Sequence, residues 1–328
     1  MATYVIVDSM NLAFRVRHGM RAPDMETTVG LAIHMIFNSV KKVWTQFNAD
    51  HLVFALEGRS WRKDIYKPYK AHRRDLAAQR TEQEVADDQL FFDAFGDLTD
   101  FLINKTNATV VRHSEGEADD MIARWIALHP NDEHVLVSTD SDFMQLLAPN
   151  VKIYNGVSGF LYTTTGVWDK EGNAALNKKG EPMATPKPEW LLFEKIMRGD
   201  PGDNIMSAYP GVRTKKLTEA FENRHEQGYA WNNLMLSKWT DHNGEEVRVK
   251  DSFERNRVLI DLSAQPEYLV ESFDQSIAQS VNQNSRTQVG FSLMKFANKW
   301  GLVRIEQNAA DYSQCLSKGY QGVLLNKA

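Results

Sequence analysis

Nine acidic side chains fall in five short clusters. They are Asp8 in VDSMN, Glu57 in ALEG, Glu117, Asp119 and Asp120 in EGEADD, Asp140 and Asp142 in STDSDF, and Asp200 and Asp203 in GDPGDN. Two unit charges about 4 Å apart repel by roughly 4 kcal/mol at an effective dielectric of about 20. Carboxylates that converge must therefore take up protons or bind cations. No Lys or Arg interrupts EADD, STDSD or GDPGD. Oxygen donors, a single cysteine (Cys315) and no HxxxH or HExxH spacing point to Mg²⁺, with Mn²⁺ as a substitute, and away from zinc. Several carboxylates around two ions suit a phosphodiester displacement in which one ion activates water and the other stabilises the leaving oxygen. A lone Asp at a strand end is more often a cap, and acids at a helix start can simply complement its dipole. Five groups that all fall at element ends favour the metal site.

A second signal is basic. Residues 59–80, RSWRKDIYKPYKAHRRDLAAQR, hold eight Lys or Arg against two acids, a local charge of +6 in a chain of net charge −5. Trp61, Tyr66 and Tyr69 are interleaved with Arg59, Arg62, Lys63, Lys67 and Arg74. Cations contact phosphates and aromatic faces stack on unpaired bases, so the segment is a candidate nucleic-acid surface. A solvated charged helix or a protein-binding helix is the alternative. Further on, PGVRTKK (210–216) opens a helix after a Pro-Gly turn, and Gly211, Arg213, Lys215 and Lys216 are candidates for holding phosphate.

These residues need a scaffold that gathers them. TYVIV (3–7), HLVFALEG (51–58), ATVVRH (108–113), HVLVST (134–139) and VKIYN (151–155) read as strands, alternating with helical periods such as 28–47 and 81–103. Ser114 and Glu117 give a capping signal for a helix that carries EADD. The alternation predicts an α/β fold with a central, mainly parallel sheet flanked by helices. Ligands sit at the carboxyl ends of such strands, where Asp8, Glu57 and Asp140 fall and Glu117 lies close by. Expected domains are 1–188, with a polar insert at 161–188 (a hairpin or loop), a helical subdomain at 189–305, and a polar tail at 306–328. No apolar run approaches the roughly 18 residues of a membrane helix. The start, MATYVIVDSM, has no signal-peptide pattern, and with one cysteine the expected compartment is a reducing cytoplasm.

In this order and at these separations, VDSMN, WRKDIYKPYKAHR, EGEADD, STDSDF and GDPGDN resemble the 5′-nuclease (flap endonuclease) family, most closely its bacteriophage members, including the phage ribonuclease H branch. The likeness covers roughly residues 3–300. It implies a PIN/5′-nuclease-like fold. It also implies that Asp8, Glu117, Asp119, Asp120, Asp140, Asp142, Asp200 and Asp203 belong to the metal site. Lys70 and Arg73 fall where the family keeps a Lys and an Arg beside the scissile phosphate, in a helical arch over about 59–100. A helix–turn–helix variant near 211–216 would grip the duplex backbone. The implied activity is Mg²⁺-dependent 5′→3′ exonuclease and flap cleavage, removing RNA primers in lagging-strand synthesis. The implied partners are branched or nicked duplex DNA and RNA–DNA with a free 5′ end, with a polymerase or single-strand-binding protein as further partners; the protein is expected to be a monomer in the cytoplasm of a phage-infected bacterium.

Two departures from the pattern stand out. Glu57 occupies a position where the family usually has Asp. The duplex-binding turn reads Gly211-Val212-Arg213-Thr214-Lys215, without a second glycine. A catalytically silent DNA-binding scaffold of the same fold and a PIN-type single-strand ribonuclease stay open as rival readings.

Overall fold

A computed structural model describes residues 1–19, 24–241, 244–281 and 285–325. The chain forms two compact units. One comprises 1–60, 80–186 and 267–328, and the other comprises 61–79 and 187–266.

The first unit is built on seven strands: β1 (Thr3–Asp8), β2 (His51–Ala55), β3 (Thr109–Val111), β4 (Glu133–Val137), β5 (Val151–Tyr154), β6 (Leu161–Thr163) and β7 (Gly166–Trp168). Their order is β3-β2-β1-β4-β5-β6-β7. The first five run parallel, and β6 and β7 are added antiparallel. The apolar runs read from the sequence are these strands. Both faces are covered, so β1 is buried almost throughout and its side chains alternate between two environments. Val5 and Val7 join a core with helices Met25–Phe47 and Glu82–Lys105. Tyr4 faces the other way, with its ring 5.2 Å from that of Trp125 on helix Ala118–Leu128.

Three expectations change here. Helix Glu82–Lys105 is core, not arch, because Phe91, Ala94, Leu98, Phe101 and Leu102 are buried along one stripe. The segment after 266 belongs to this unit and not to a subdomain spanning 189–305. Leu293 and Phe296 of helix Val289–Lys299 pack in the same core as Val5 and Val7. The region after 306 is not a tail: helix Ala309–Ser317 buries Ala309, Tyr312, Cys315 and Leu316. Residues 326–328 lie outside the described residues. The region 161–188 forms β6, β7 and further bridges Trp168–Ala174 and Leu176–Pro182, an ordered antiparallel extension.

The second unit is mainly helical. Its core joins Phe193, Ile196 and Met197 of helix Pro188–Arg198 to Leu217 and Ala220 of helix Thr214–Glu222, with Phe253 and Leu259 of helix Val249–Ile260. Asn256, fully buried, donates from Nδ2 to the carbonyls of Ile196 (2.9 Å) and Met206 (2.8 Å). A short hairpin, β8 (Lys238–Thr240) with β9 (Glu246–Arg248), completes it; the sequence reading had no element there. The basic segment is not one solvated helix. It forms two short helices, Arg62–Ile65 and His72–Ala78, and Tyr69 between them is buried in this unit's core.

Candidate metal centre and nucleic-acid interface

β1 ends in Asp8, which is 4% exposed. Its Oδ2 accepts from Ser138 Oγ at 2.8 Å and its Oδ1 from the Asn11 amide at 3.3 Å. Ser138 directly follows β4, the neighbour of β1. Burial pushes the Asp8 carboxyl up to about 7. The charges of Glu57 and Asp140 add to that rise, and the Ser138 hydrogen bond opposes it. Asp8 ends β1, Glu57 and Asp140 follow the adjacent parallel strands β2 and β4, and the charges of Glu57 and Asp140 act on Asp8.

The fourth cluster joins through backbone. Glu57 Oε2 accepts the amide of Ala118 at 3.1 Å, at the start of the helix that carries EADD. Glu117 is that helix's N-cap. Its carboxylate accepts from Ser60 Oγ at 2.9 Å, and its own amide donates to Asp120 Oδ2 at 3.0 Å. The capping pair is therefore Glu117 with Asp120, not Ser114 with Glu117. Backbone at 114–116 is committed elsewhere: Gly58 donates to the Gly116 carbonyl and Arg59 to that of Ser114, both at 2.9 Å. This close approach requires glycine, since a Cβ on Gly58 would lie 1.9 Å from the His113 oxygen. Asp119 is half-buried and Asp120 fully buried in the same first turn. Asp140 caps the 3₁₀ turn Ser141–Leu146 and accepts from the Asp142 amide at 2.9 Å.

Asp200 and Asp203 belong to the second unit and have cationic partners there, although their motif contains none. Lys195 Nζ is 2.8 Å from Asp200 Oδ2. Burial raises the Asp200 carboxyl, but the Lys195 hydrogen bond and charge, together with the Gly202 and Asp203 amides, outweigh it and hold it below its ordinary value. Asp203 receives Arg73 Nη2 at 2.8 Å, Lys70 Nζ at 3.4 Å and Tyr69 Oη at 3.1 Å. The Lys70 amide also donates to the Asp203 carbonyl at 2.9 Å. Lys70 holds a left-handed φ of 52° and Asn204 one of 60°, with Asn204 Nδ2 on the Pro68 carbonyl at 2.8 Å. The sequence could not show that the fold neutralises this pair of acids, because their partners lie 5 and about 130 residues away.

Among the candidate nucleic-acid residues, Lys63, Lys67, Arg73 and Arg74 are exposed in the second unit and Arg59 is exposed in the first. Two assignments are corrected. Arg62 is 2% exposed, donates Nε to the Leu259 carbonyl at 2.8 Å and lies over the Trp61 ring. Its guanidinium is a packing group and not a phosphate contact. Tyr69, 4% exposed, packs in the core and is not a stacking platform. In the turn, Gly211 has φ 71° and is exposed, as are Arg213 and Lys215, while Lys216 lies over Tyr209.

The sequence reading missed several residues at the acid edge. Arg15 donates Nε to Thr139 Oγ1 at 2.6 Å, and Thr139 in turn donates to Asn11 Oδ1 at 2.7 Å. Asn11 and Ser138 stood inside the quoted motifs, beside the acids. Arg15 could have been found from its place four residues after Asn11, on the same face of the helix Ser9–Gly19.

Residues 3–172 match the family of the 5′-3′ exonuclease N-terminal resolvase-like domain. The chain belongs to the 5′-nuclease family. It is 31% identical over 215 residues to the flap endonuclease of Escherichia phage T5, covering 65% of this chain and 67% of that protein. It is 26% identical over 223 residues to the flap endonuclease Xni of Shewanella piezotolerans, covering 67% and 76%. The fold of this 5′-nuclease is shared with the bacteriophage T5 flap endonuclease solved with DNA and metal ions. The TM-score is 0.58 at 22% identity, over 86% of this chain and all of that one.

Among the described residues, no three His, Cys, Asp or Glu side chains stand where they could hold one ion as they are. The donor chemistry nevertheless fits a hard divalent cation. The carboxylates at this edge are oxygen donors, and the buried Asp8 carboxyl is destabilised as an anion by burial and by its acidic neighbours. No described helix is long and apolar enough to cross a membrane.

Proposed function

We propose that this 5′-nuclease is a divalent-metal-dependent, structure-specific phosphodiesterase that acts on the 5′ ends and flaps of branched or nicked duplexes, including RNA-primed ones. One observation carries the reading: the adjacent parallel strands β2, β1 and β4 lead into Glu57, Asp8 and Asp140, and burial, with the charges of Glu57 and Asp140 added, raises the Asp8 carboxyl. Mg²⁺, as two ions and replaceable by Mn²⁺, is the cofactor this reading names. When bound, such ions supply activated water and charge neutralisation at the leaving oxygen.

The chain's own residues do the rest. Asp8, Glu57, Glu117, Asp119, Asp120, Asp140 and Asp142 offer the oxygens. Ser138, Asn11 and Ser60 fix the carboxylates of Asp8 and Glu117 in place. Asp200 and Asp203 are assigned to the same metal chemistry, with Lys195, Lys70 and Arg73 as their resting partners. Lys70 and Arg73 then neutralise charge on the phosphate undergoing cleavage. Arg59, Lys63, Lys67 and Arg74 hold single-stranded phosphates, and Gly211, Arg213, Lys215 and Lys216 hold the duplex backbone. Primer removal during phage replication is the process this activity would serve.

One gel tests the reading: a 5′-labelled flap, a nicked duplex and an RNA-primed duplex, each with and without Mg²⁺. Mg²⁺-dependent release of short 5′ products is expected. Flap binding with no cleavage in Mg²⁺ or Mn²⁺ would instead support the silent scaffold.

A further inference from the structure

We infer that the β8–β9 hairpin is a second phosphate-binding element for the duplex, set beside the 211–216 turn. This rests on the duplex-cleaving reading above.

In the ladder Lys238 lies directly opposite Arg248, Trp239 opposite Val247, and Thr240 opposite Glu246. Period-2 alternation puts the two faces to different uses. Trp239 and Val247 are half-buried, and Trp239 packs on the second unit's core and donates Nε1 to the Ala208 carbonyl at 2.9 Å. Ala208 lies just before the Tyr209-Pro210-Gly211 turn, so the hairpin is fastened to the lead-in of that turn.

The opposite face is exposed and carries Lys238 and Arg248 as a directly facing like-charge pair. Such a pair is destabilising in an antiparallel ladder. Glu246 pairs with Lys238 and offsets part of this, but it leaves Arg248 facing a cation. A third cation is brought in: Lys216 Nζ donates to Ser237 Oγ at 3.4 Å, and the Ser237 carbonyl accepts from the Val249 amide at 2.9 Å. Ser237 thus links the basic turn to the foot of both strands. Lys238 and Arg248 are exposed at the foot of the hairpin, Lys216 reaches that foot through Ser237, and the exposed Lys250 follows Arg248 by two residues, next to the exposed acid Asp251. The acids Asp241 and Glu245 sit at the far end, where the Asp241 amide bonds the Glu245 carbonyl at 2.9 Å. A hairpin basic at its foot and acidic at its end fits an anion held at the foot. Repeating phosphates of a duplex backbone satisfy several spaced cations at once.

The test is fluorescence anisotropy of a labelled blunt duplex without any flap, in EDTA, across a salt series. The Lys238→Gln/Arg248→Gln protein should bind about tenfold more weakly, and its log K versus log salt slope should be shallower by about 1.8, the release expected for two phosphates. Its melting temperature should change little, since the Lys238–Glu246 pair is lost together with the repulsion it offsets. The single Arg248→Gln protein should show about half the change in slope. Unchanged affinity and slope in the double variant would overturn the inference and leave these cations to an acidic protein surface. The outcomes separate from those of the cleavage reading. A parent that binds duplex but cleaves nothing would sink that reading and keep this interface. A cleaving parent whose double variant binds normally would do the reverse.

Discussion

Ser138 donates its hydroxyl to Asp8 Oδ2 at 2.8 Å, across 130 residues of chain. The bond ties the end of β1 to the end of β4 and orients a buried carboxylate from behind. Loss of such an outer partner commonly lowers metal affinity or activity about 10- to 100-fold. Ser138→Ala should therefore fall in this range in single-turnover flap cleavage. Asp140→Asn, which removes a proposed ligand, should fall further. Near-normal rates in both would remove β4 from the site.

Lys70→Ala should separate chemistry from grip. Removing one electrostatic stabiliser typically slows the chemical step about 10²- to 10³-fold. The loss of a single phosphate contact should change duplex affinity by only about threefold. The two quantities are read from single-turnover cleavage and from binding in EDTA. The reverse order would make Lys70 a binding residue.

Gly58→Ala should unfold or strongly destabilise the protein. The new Cβ would sit 1.9 Å from the His113 carbonyl and 2.7 Å from that of Gly116, both backbone atoms that cannot swing aside. A loss of about 3 kcal/mol in urea unfolding is expected. A midpoint equal to the parent's would show that the 57–60 loop is free to move.

The same loop shows how far sequence could reach. β1, β2 and β4 were legible because a parallel strand buried on both faces reads as a short, nearly continuous apolar run, and the acids were legible because each is the first acid after such a run. The site's first four clusters could thus be read from spacing. What sequence could not give was long-range pairing. Arg62 looks like its neighbours in a basic run, yet it is buried against Leu259. Asp203 looks unneutralised until Lys70 and Arg73 are folded onto it. The helix at 309–317 was overlooked although Ala309, Tyr312, Cys315 and Leu316 recur at helical spacing, because Asp311, Ser313 and Gln314 dilute the stripe. The β8–β9 hairpin is too short for its alternation to rise above its polar flanks.

Acid should weaken the first unit through His51 and His134. Burial lowers both imidazoles to about 4 from an ordinary 6.5. Folded, they stay neutral while the unfolded chain takes up protons. Stability is therefore flat above about pH 6.5, falls as pH drops below it, and levels off near pH 4, with a loss on the order of 2 kcal/mol per histidine by pH 5. Urea midpoints at pH 7.5 and 5 measure this. His134→Gln keeps a donor for the His129 carbonyl, which His134 Nε2 approaches at 3.0 Å, and should show a shallower fall. Identical pH dependence in parent and variant would clear His134 of the effect.

The most direct check of the metal centre is thermal melting of the parent and of Asp8→Asn, each in EDTA and in Mg²⁺. In EDTA the variant should melt higher than the parent, because a buried, crowded carboxylate has been made neutral. Mg²⁺ should raise the parent's melting temperature and leave the variant's nearly unchanged. No Mg²⁺ response in the parent, or an equal response in both proteins, would contradict a divalent-ion site built on Asp8.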